Sequence, residues 1–143
     1  MQYHRYGRAS RAKLNTCHPL LAQVAERALE LSPYDITIVW GGRTQAEQNA
    51  LFESGASYAR FPDSKHNVLG DDGEMRSEAI DFAPWVASRV PWNDTHVFAV
   101  VAGAFFAAAA EIGVSLRWGG DWDGDGSTED QTLLDWGHIE MIT

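Results

Sequence analysis

The sequence predicts an α+β fold, with helices packed on a small, largely antiparallel sheet. Three observations predict it. Helical signals mark three segments, 19–31, 44–54 and 93–112. Short runs at 36–40, 79–82, 114–118 and 137–142 read as strands. Along two of those runs the polar side chains share one face and the apolar ones the other, so the sheet has a polar side.

The elements follow in order. In 19–31, Leu20, Leu21, Val24, Ala25, Ala28 and Leu29 recur at helical spacing, and Pro19 suits a first-turn position. Ser32-Pro33-Tyr34-Asp35 breaks the helix. Ile36-Thr37-Ile38-Val39-Trp40 is short and β-branched, hence a strand, and Gly41-Gly42 turns the chain. Thr44-Gln45-Ala46-Glu47 is a capping-box pattern that opens a helix to about Ser54. Residues 55–78 read as an irregular loop. In 79–82, Ala79 and Asp81 share one strand face, Ile80 and Phe82 the other. Asn93 or Asp94 caps a helix to about Ile112, which Gly113 ends. A strand at 114–118, a loop at 119–130 and a last strand at 137–142 complete the chain. In that last strand His138 and Glu140 share a face.

With 143 residues and 45% hydrophobic content, the chain is predicted to form a single domain, 1–143, with one core. The apolar run 97–110 is too short to span a bilayer, so no membrane anchor is expected. The net charge of −9 argues against nucleic acid as a partner, because such binding rests on Lys and Arg. A lone Cys17 excludes an intrachain disulfide and suits synthesis in a reducing compartment. The basic N-terminal residues lack an apolar h-region, so no secretory signal is expected.

The chemistry-bearing residues are scattered in the sequence. Zinc takes imidazole nitrogen and carboxylate oxygen, and catalytic sites leave one position open for water. His66, Asp81 and His138 supply two nitrogens and an oxygen, two of them from predicted strands. A carboxylate inside the apolar run 79–82 itself calls for a cation or hydrogen bonds. Asp135, three residues before His138, is placed to act as the base on water. Arg43 follows a strand and a Gly-Gly turn and suits a substrate carboxylate or an oxyanion. His4, His18 and His96 have no comparable context.

These residues resemble the zinc peptidases that include D-Ala-D-Ala carboxypeptidases, vancomycin-resistance dipeptidases and phage L-alanyl-D-glutamate endopeptidases. Ser64-Lys65-His66, Ala79-Ile80-Asp81 and Asp135-Trp136-Gly137-His138 match that family's pattern. The phage endolysin branch fits best. Arg43-Thr44, Ser57 after Gly55, Trp92-Asn93-Asp94 and Gly119-Gly120-Asp121-Trp122 follow it in order. The resemblance implies a hedgehog/D-Ala-D-Ala-peptidase-like fold with zinc held on the sheet by His66, Asp81 and His138. It also implies Asp135 as catalytic base, and Ser64 and Arg43 at the substrate. It covers nearly the whole chain, which leaves little for a separate wall-binding domain. The stretch from His66 to Asp81 is longer than the family's, through an acidic insertion at 68–76. Asp71, Asp72, Glu74 and Glu78 therefore compete with Asp81 for the third ligand position.

A second cation site is expected in the loop. Asp121, Asp123 and Asp125 with Gly126 match the front of a calcium loop, and Asp130 adds a further oxygen. Thr132 stands where a full EF-hand has Glu, so the match is to the front half only.

The reading is a zinc-dependent peptidoglycan hydrolase, an endolysin that cuts the L-Ala–D-Glu bond of the stem peptide and lyses the host. A monomer is expected, made in the host cytoplasm and acting at the periplasm and cell wall after release through a holin-type pore. The rivals are a D,D-carboxypeptidase or dipeptidase acting on D-Ala-D-Ala, and a non-catalytic, metal-containing wall-binding module.

Overall fold

Two helices form the apolar half of the core in the computed structural model, which describes residues 4–127 and 135–142. A short helix without a strong sequence signal, α1 (Arg8–Leu14), precedes them. Helix α2 (Pro19–Leu31) has the predicted bounds. Its N-terminus is capped by His18, whose Nδ1 accepts the Leu20 N–H at 3.1 Å. Leu21, Val24, Ala25, Ala28 and Leu29 face inward. Burying each larger side chain contributes on the order of 1.5–3 kcal/mol. Helix α3 (Gln45–Glu53) carries the predicted capping box between Thr44 and Glu47.

Helix α4 (Thr95–Ile112) is capped by Asp94, which accepts the Val97 N–H at 3.3 Å. It ends at Gly113, whose φ of 88° is a left-handed conformation. At 18 residues it exceeds the apolar run read from the sequence. By length and composition alone it is sufficient to cross a membrane, which corrects the expectation of too short a stretch. Here it is a core helix. Phe98, Val101, Phe105 and Ala108 are buried, and the helix packs against α2.

Among the described residues the sheet has four strands: β1 (Asp35–Trp40), β2 (Ala79–Trp85), β3 (Leu116–Trp118) and β4 (His138–Met141). All their pairings are antiparallel, in the order β1-β2-β4-β3. Strand β2 runs past the predicted end because Ala83, Pro84 and Trp85 pair with β1 alone. Beside them β4 is not paired, and a proline is tolerated where one edge is open. The helix-facing side is apolar: Ile80, Phe82 and Ile139 are buried, and Phe82 stacks on Phe105 with centroids 5.0 Å apart. The other side carries Asp81, His138 and Glu140. The register sets Asp81 opposite His138, and Glu140 opposite both Ala79 and Arg117.

The predicted loop 55–78 contains two ordered pieces. Lys65–Asn67 form a 3-10 turn. The acidic insertion closes on itself through Gly70 N–H to Glu74 C=O at 2.8 Å and Arg76 N–H to Val68 C=O at 2.9 Å. Asp71, Asp72 and Glu74 are exposed at its tip.

Candidate active site

Three side chains that are remote in sequence meet on the polar face of the sheet. His66 sits on the 3-10 turn, which Ser64 caps by accepting the His66 N–H at 3.1 Å. The residue is 2% exposed. Its Nδ1 lies 2.7 Å from the Gly41 carbonyl. A carbonyl only accepts, so Nδ1 carries the proton and Nε2 keeps its lone pair. That Nε2 is buried, makes no hydrogen bond among the described residues and lies 3.3 Å from Asp81 Oδ1. Gly41 is required here, since a Cβ would collide with the Lys13 carbonyl.

Asp81 projects from β2. Its Oδ1 is 2.9 Å from His138 Nδ1, and its Oδ2 accepts from Arg43 Nη2 at 2.5 Å. Burial alone raises its pKa. The neighbouring His66 and His138 override that and hold the carboxyl well below the usual range. His138, on β4, turns Nδ1 to Asp81 and places Nε2 2.9 Å from Glu140 Oε1. Burial pulls the imidazolium down, but the two carboxylates lift it to about 9. Glu140 in turn accepts from Arg117 at 2.8 Å. The Trp122 ring lies 5.4 Å from the His138 ring, and the Arg117 guanidinium lies 5.4 Å from the same indole.

One ligand atom from each of His66, Asp81 and His138 falls within 4.8 Å of the others. Two nitrogens, one carboxylate oxygen and an orphaned buried lone pair fit a zinc ion. Each of the three side chains has a second partner that orients it: Gly41 C=O, Arg43 and Glu140 respectively. The rival carboxylates lie elsewhere. Asp71, Asp72 and Glu74 stay at the insertion's tip, and Glu78 pairs with Lys65 at 3.5 Å.

Arg43 is 8% exposed. Besides Asp81 it reaches Gln48 Oε1 at 3.2 Å. Gln48, wholly buried, is anchored by its own bonds to Ser57 Oγ at 2.9 Å and the Ala59 carbonyl at 2.6 Å. Arg43 therefore braces the metal-type cluster while lining the cleft beside it.

Asp135 opens the segment that carries His138. Its N–H donates to the Gly119 carbonyl at 2.9 Å, and its own carbonyl accepts the His138 N–H at 3.1 Å. A side chain at Gly119 would run into the Asp135 backbone, so only glycine allows this approach. Its carboxyl pKa is raised, first by loss of water and then by the negative Asp81. That is the direction a proton acceptor at neutral pH needs.

Two arms of one cleft meet at Asp81, Arg43 and Asp135. The first, about 650 Å³, is lined by Ser64, Lys65, Tyr58, Arg117, Trp122 and Glu140 among others. The second, about 490 Å³, is apolar and lined by Val39, Trp40, Leu51, Trp92, Phe98 and Trp136.

Asp121, Asp123 and Asp125 also converge, each offering an oxygen within 4.8 Å of the other two. Asp121 Oδ1 is buried and has no hydrogen-bond partner among the described residues. Asp130 and Thr132 lie outside the described residues. Sequence reasoning gave no role in the site to Glu140 or Gln48 and read Gly41 only as half of a Gly-Gly turn. A period-2 argument from His138 pointed to Glu140, since both were placed on one strand face. For Gln48 the sequence carried no signal.

Comparison with known proteins agrees with this geometry. A family model described as phage L-alanyl-D-glutamate peptidase matches residues 1–142. The chain is 40% identical over 141 residues to the L-alanyl-D-glutamate peptidase of Escherichia phage T5, an alignment covering 96% of this chain and 98% of that one. The crystal structure of the Serratia marcescens L-Ala D-Glu endopeptidase ChiX matches with a TM-score of 0.76 at 27% identity, covering 96% of this chain and 90% of that chain. The orphaned His66, the carboxylate opposite His138 and the raised Asp135 thus sit in a chain that belongs to the phage L-alanyl-D-glutamate peptidase family.

Proposed function

We propose that this chain is a zinc-dependent peptidoglycan hydrolase that cuts the L-Ala–D-Glu bond of the stem peptide. The observation that carries it is the convergence of His66 Nε2, Asp81 Oδ1 and His138 Nδ1 beside Asp135, in a member of this peptidase family. His66, Asp81 and His138 would hold the metal, and a zinc ion bound there would supply Lewis-acid polarisation of the scissile carbonyl and lower the pKa of water. Asp135 takes the proton from the attacking water and passes it to the leaving amine. Arg43 keeps the Asp81 carboxylate aimed and presents its remaining charge to the cleft, and Ser64 holds the turn that presents His66.

The test is the mass of fragments released from purified peptidoglycan. The expected product is a stem peptide that starts at D-Glu, with L-Ala left on the glycan. Release of free D-Ala or of D-Ala-D-Ala would transfer the chain to the D,D-peptidase reading. No release, with the wall still bound, would leave a non-catalytic module.

A second cation belongs to the same proposal. The three convergent carboxylates and the orphaned Asp121 Oδ1 favour calcium, a hard ion that takes oxygen ligands. The physiological setting completes it: synthesis in the host cytoplasm, passage through a holin-type pore, and action as a monomer on the wall.

A further inference from the structure

The motif Trp92-Asn93-Asp94 is only half explained by the fold. Asp94 caps α4. Trp92 does nothing comparable for the fold and is 63% exposed, at the rim of the apolar arm. Its ring stacks on Phe98 with centroids 6.0 Å apart at 29°, which fixes its orientation. Around it stand Val39, itself 37% exposed, with Trp40, Leu51 and Trp136. Single exposed hydrophobic residues need no explanation, but a contiguous apolar groove that opens onto reacting groups marks a ligand site.

The two arms differ in polarity. Beyond the groups both share, the first holds Lys65, Arg117, Asp63 and Glu140, with Lys65 3.5 Å from Glu78 and Arg117 paired with Glu140. Among the described residues the second adds no charged side chain to the shared Arg43, Asp81 and Asp135. A substrate laid across Asp81 and Asp135 sends one side of its scissile bond into each arm. The D-Glu side of a peptidoglycan stem carries free carboxylates, which suit the polar arm with its charged and hydroxyl side chains and are excluded from the apolar one. The L-Ala side is uncharged and leads to a muramyl sugar, whose C–H faces are apolar. An oriented indole offers such a face a large contact at low entropic cost.

We propose that Trp92 and the apolar arm form a binding subsite for the muramyl sugar of the glycan strand, so that the enzyme reads the sugar as well as the peptide. This rests on the peptidase reading. The experiment compares KM and kcat on a disaccharide-linked stem peptide and on the same peptide without sugar, for wild type, Trp92→Ala, Trp92→Phe and Trp85→Ala. Trp85 is a 44% exposed tryptophan outside the cleft lining and serves as control.

In Trp92→Ala, KM for the sugar-linked substrate rises about tenfold with kcat kept, the signature of lost uniform binding. KM for the sugar-free peptide shifts by less than about twofold, Trp92→Phe recovers most of the loss, and Trp85→Ala matches wild type on both. An equal rise on both substrates assigns the groove to the peptide and overturns the proposal. No rise on the sugar-linked substrate overturns it too. A wild type that cuts neither substrate fails the peptidase reading itself, and the subsite falls with it.

Discussion

Among the described residues cation-type ligands gather in two places, and the two are built on opposite principles. His66, Asp81 and His138 are drawn from a capped turn and two paired strands, and each is gripped by a partner of its own. Asp121, Asp123 and Asp125 come from one loop, and they accept from that loop's own N–H groups. Asp121 accepts from Gly126 at 2.9 Å and Asp125 from Ser127 at 2.8 Å. The first cluster carries one carboxylate and two imidazoles; the second carries three carboxylates. Low charge, nitrogen donors and rigid support suit a zinc ion that must hold its geometry through turnover. High charge and carboxylate oxygens suit a hard ion.

The largest expected effect is loss of the first cluster. His66→Ala or His138→Ala should reduce bound zinc from about one equivalent to near none and take wall lysis to background. Elemental analysis and turbidity of permeabilised cells read both. Either variant keeping full zinc and full rate would erase the distinction between the clusters. Next comes Asp135→Ala, which should keep its zinc and melt like wild type while losing about 10²–10⁴-fold in rate. Near-wild-type turnover would remove Asp135 from the mechanism.

Glu140 sharpens the comparison, because it tests whether the grip on a ligand matters. By accepting from His138 Nε2 it turns Nδ1 toward the metal position. Glu140→Gln should weaken zinc affinity about 10–100-fold, measured by competition with a chromogenic chelator. Arg117→Met should act in the same direction with a smaller effect, since Arg117 bonds to Glu140 and not to a ligand. Unchanged affinity in both variants would mean that the strands alone aim His138.

What the sequence revealed of this follows the same division. Segments with a strong local period were legible: α2 has its predicted bounds, and the Thr44–Glu47 box opens α3 as read. The alternation in β2 and β4 put Asp81, His138 and Glu140 on one face, and the register agrees. Helix α1 was not legible. Its seven residues bury only Ser10 and Leu14, too few to show a period. Strand β2 runs past residue 82, read as its end, and takes in Pro84, which only the lack of a β4 partner beside it makes acceptable. The grip on the ligands was invisible for a different reason. The Gly41 carbonyl, the Arg43–Asp81 pair and the Gln48 anchor join segments across the fold, and no spacing rule encodes them. The same holds for the insertion. Its carboxylates compete with Asp81 in the sequence, and only its closure into a separate turn takes them out of reach.

The smallest expected effect belongs to the acidic loop. Three carboxylates within reach of one another repel in the absence of a cation, and Asp121 Oδ1 is left buried without a donor among the described residues. Calcium relieves both penalties, so it should stabilise the folded protein by mass action, by about 2.7 kcal/mol at a concentration one hundred times Kd. Affinity should be modest, because Thr132 replaces the bidentate Glu at the end of the loop. The loop is also joined to the first cluster. Trp122 lies between Asp121 and Asp123 in sequence and packs by His138 and Arg117, so a cation held by the two aspartates bears on the side chains that hold Glu140. Calcium should therefore raise the lysis rate as well as Tm, with zinc held constant, and both responses should vanish in Asp123→Ala/Asp125→Ala. Binding without any change in rate would make the site structural and break the link between the clusters. No binding at all would reduce the loop to an acidic turn and leave the protein with one cation site.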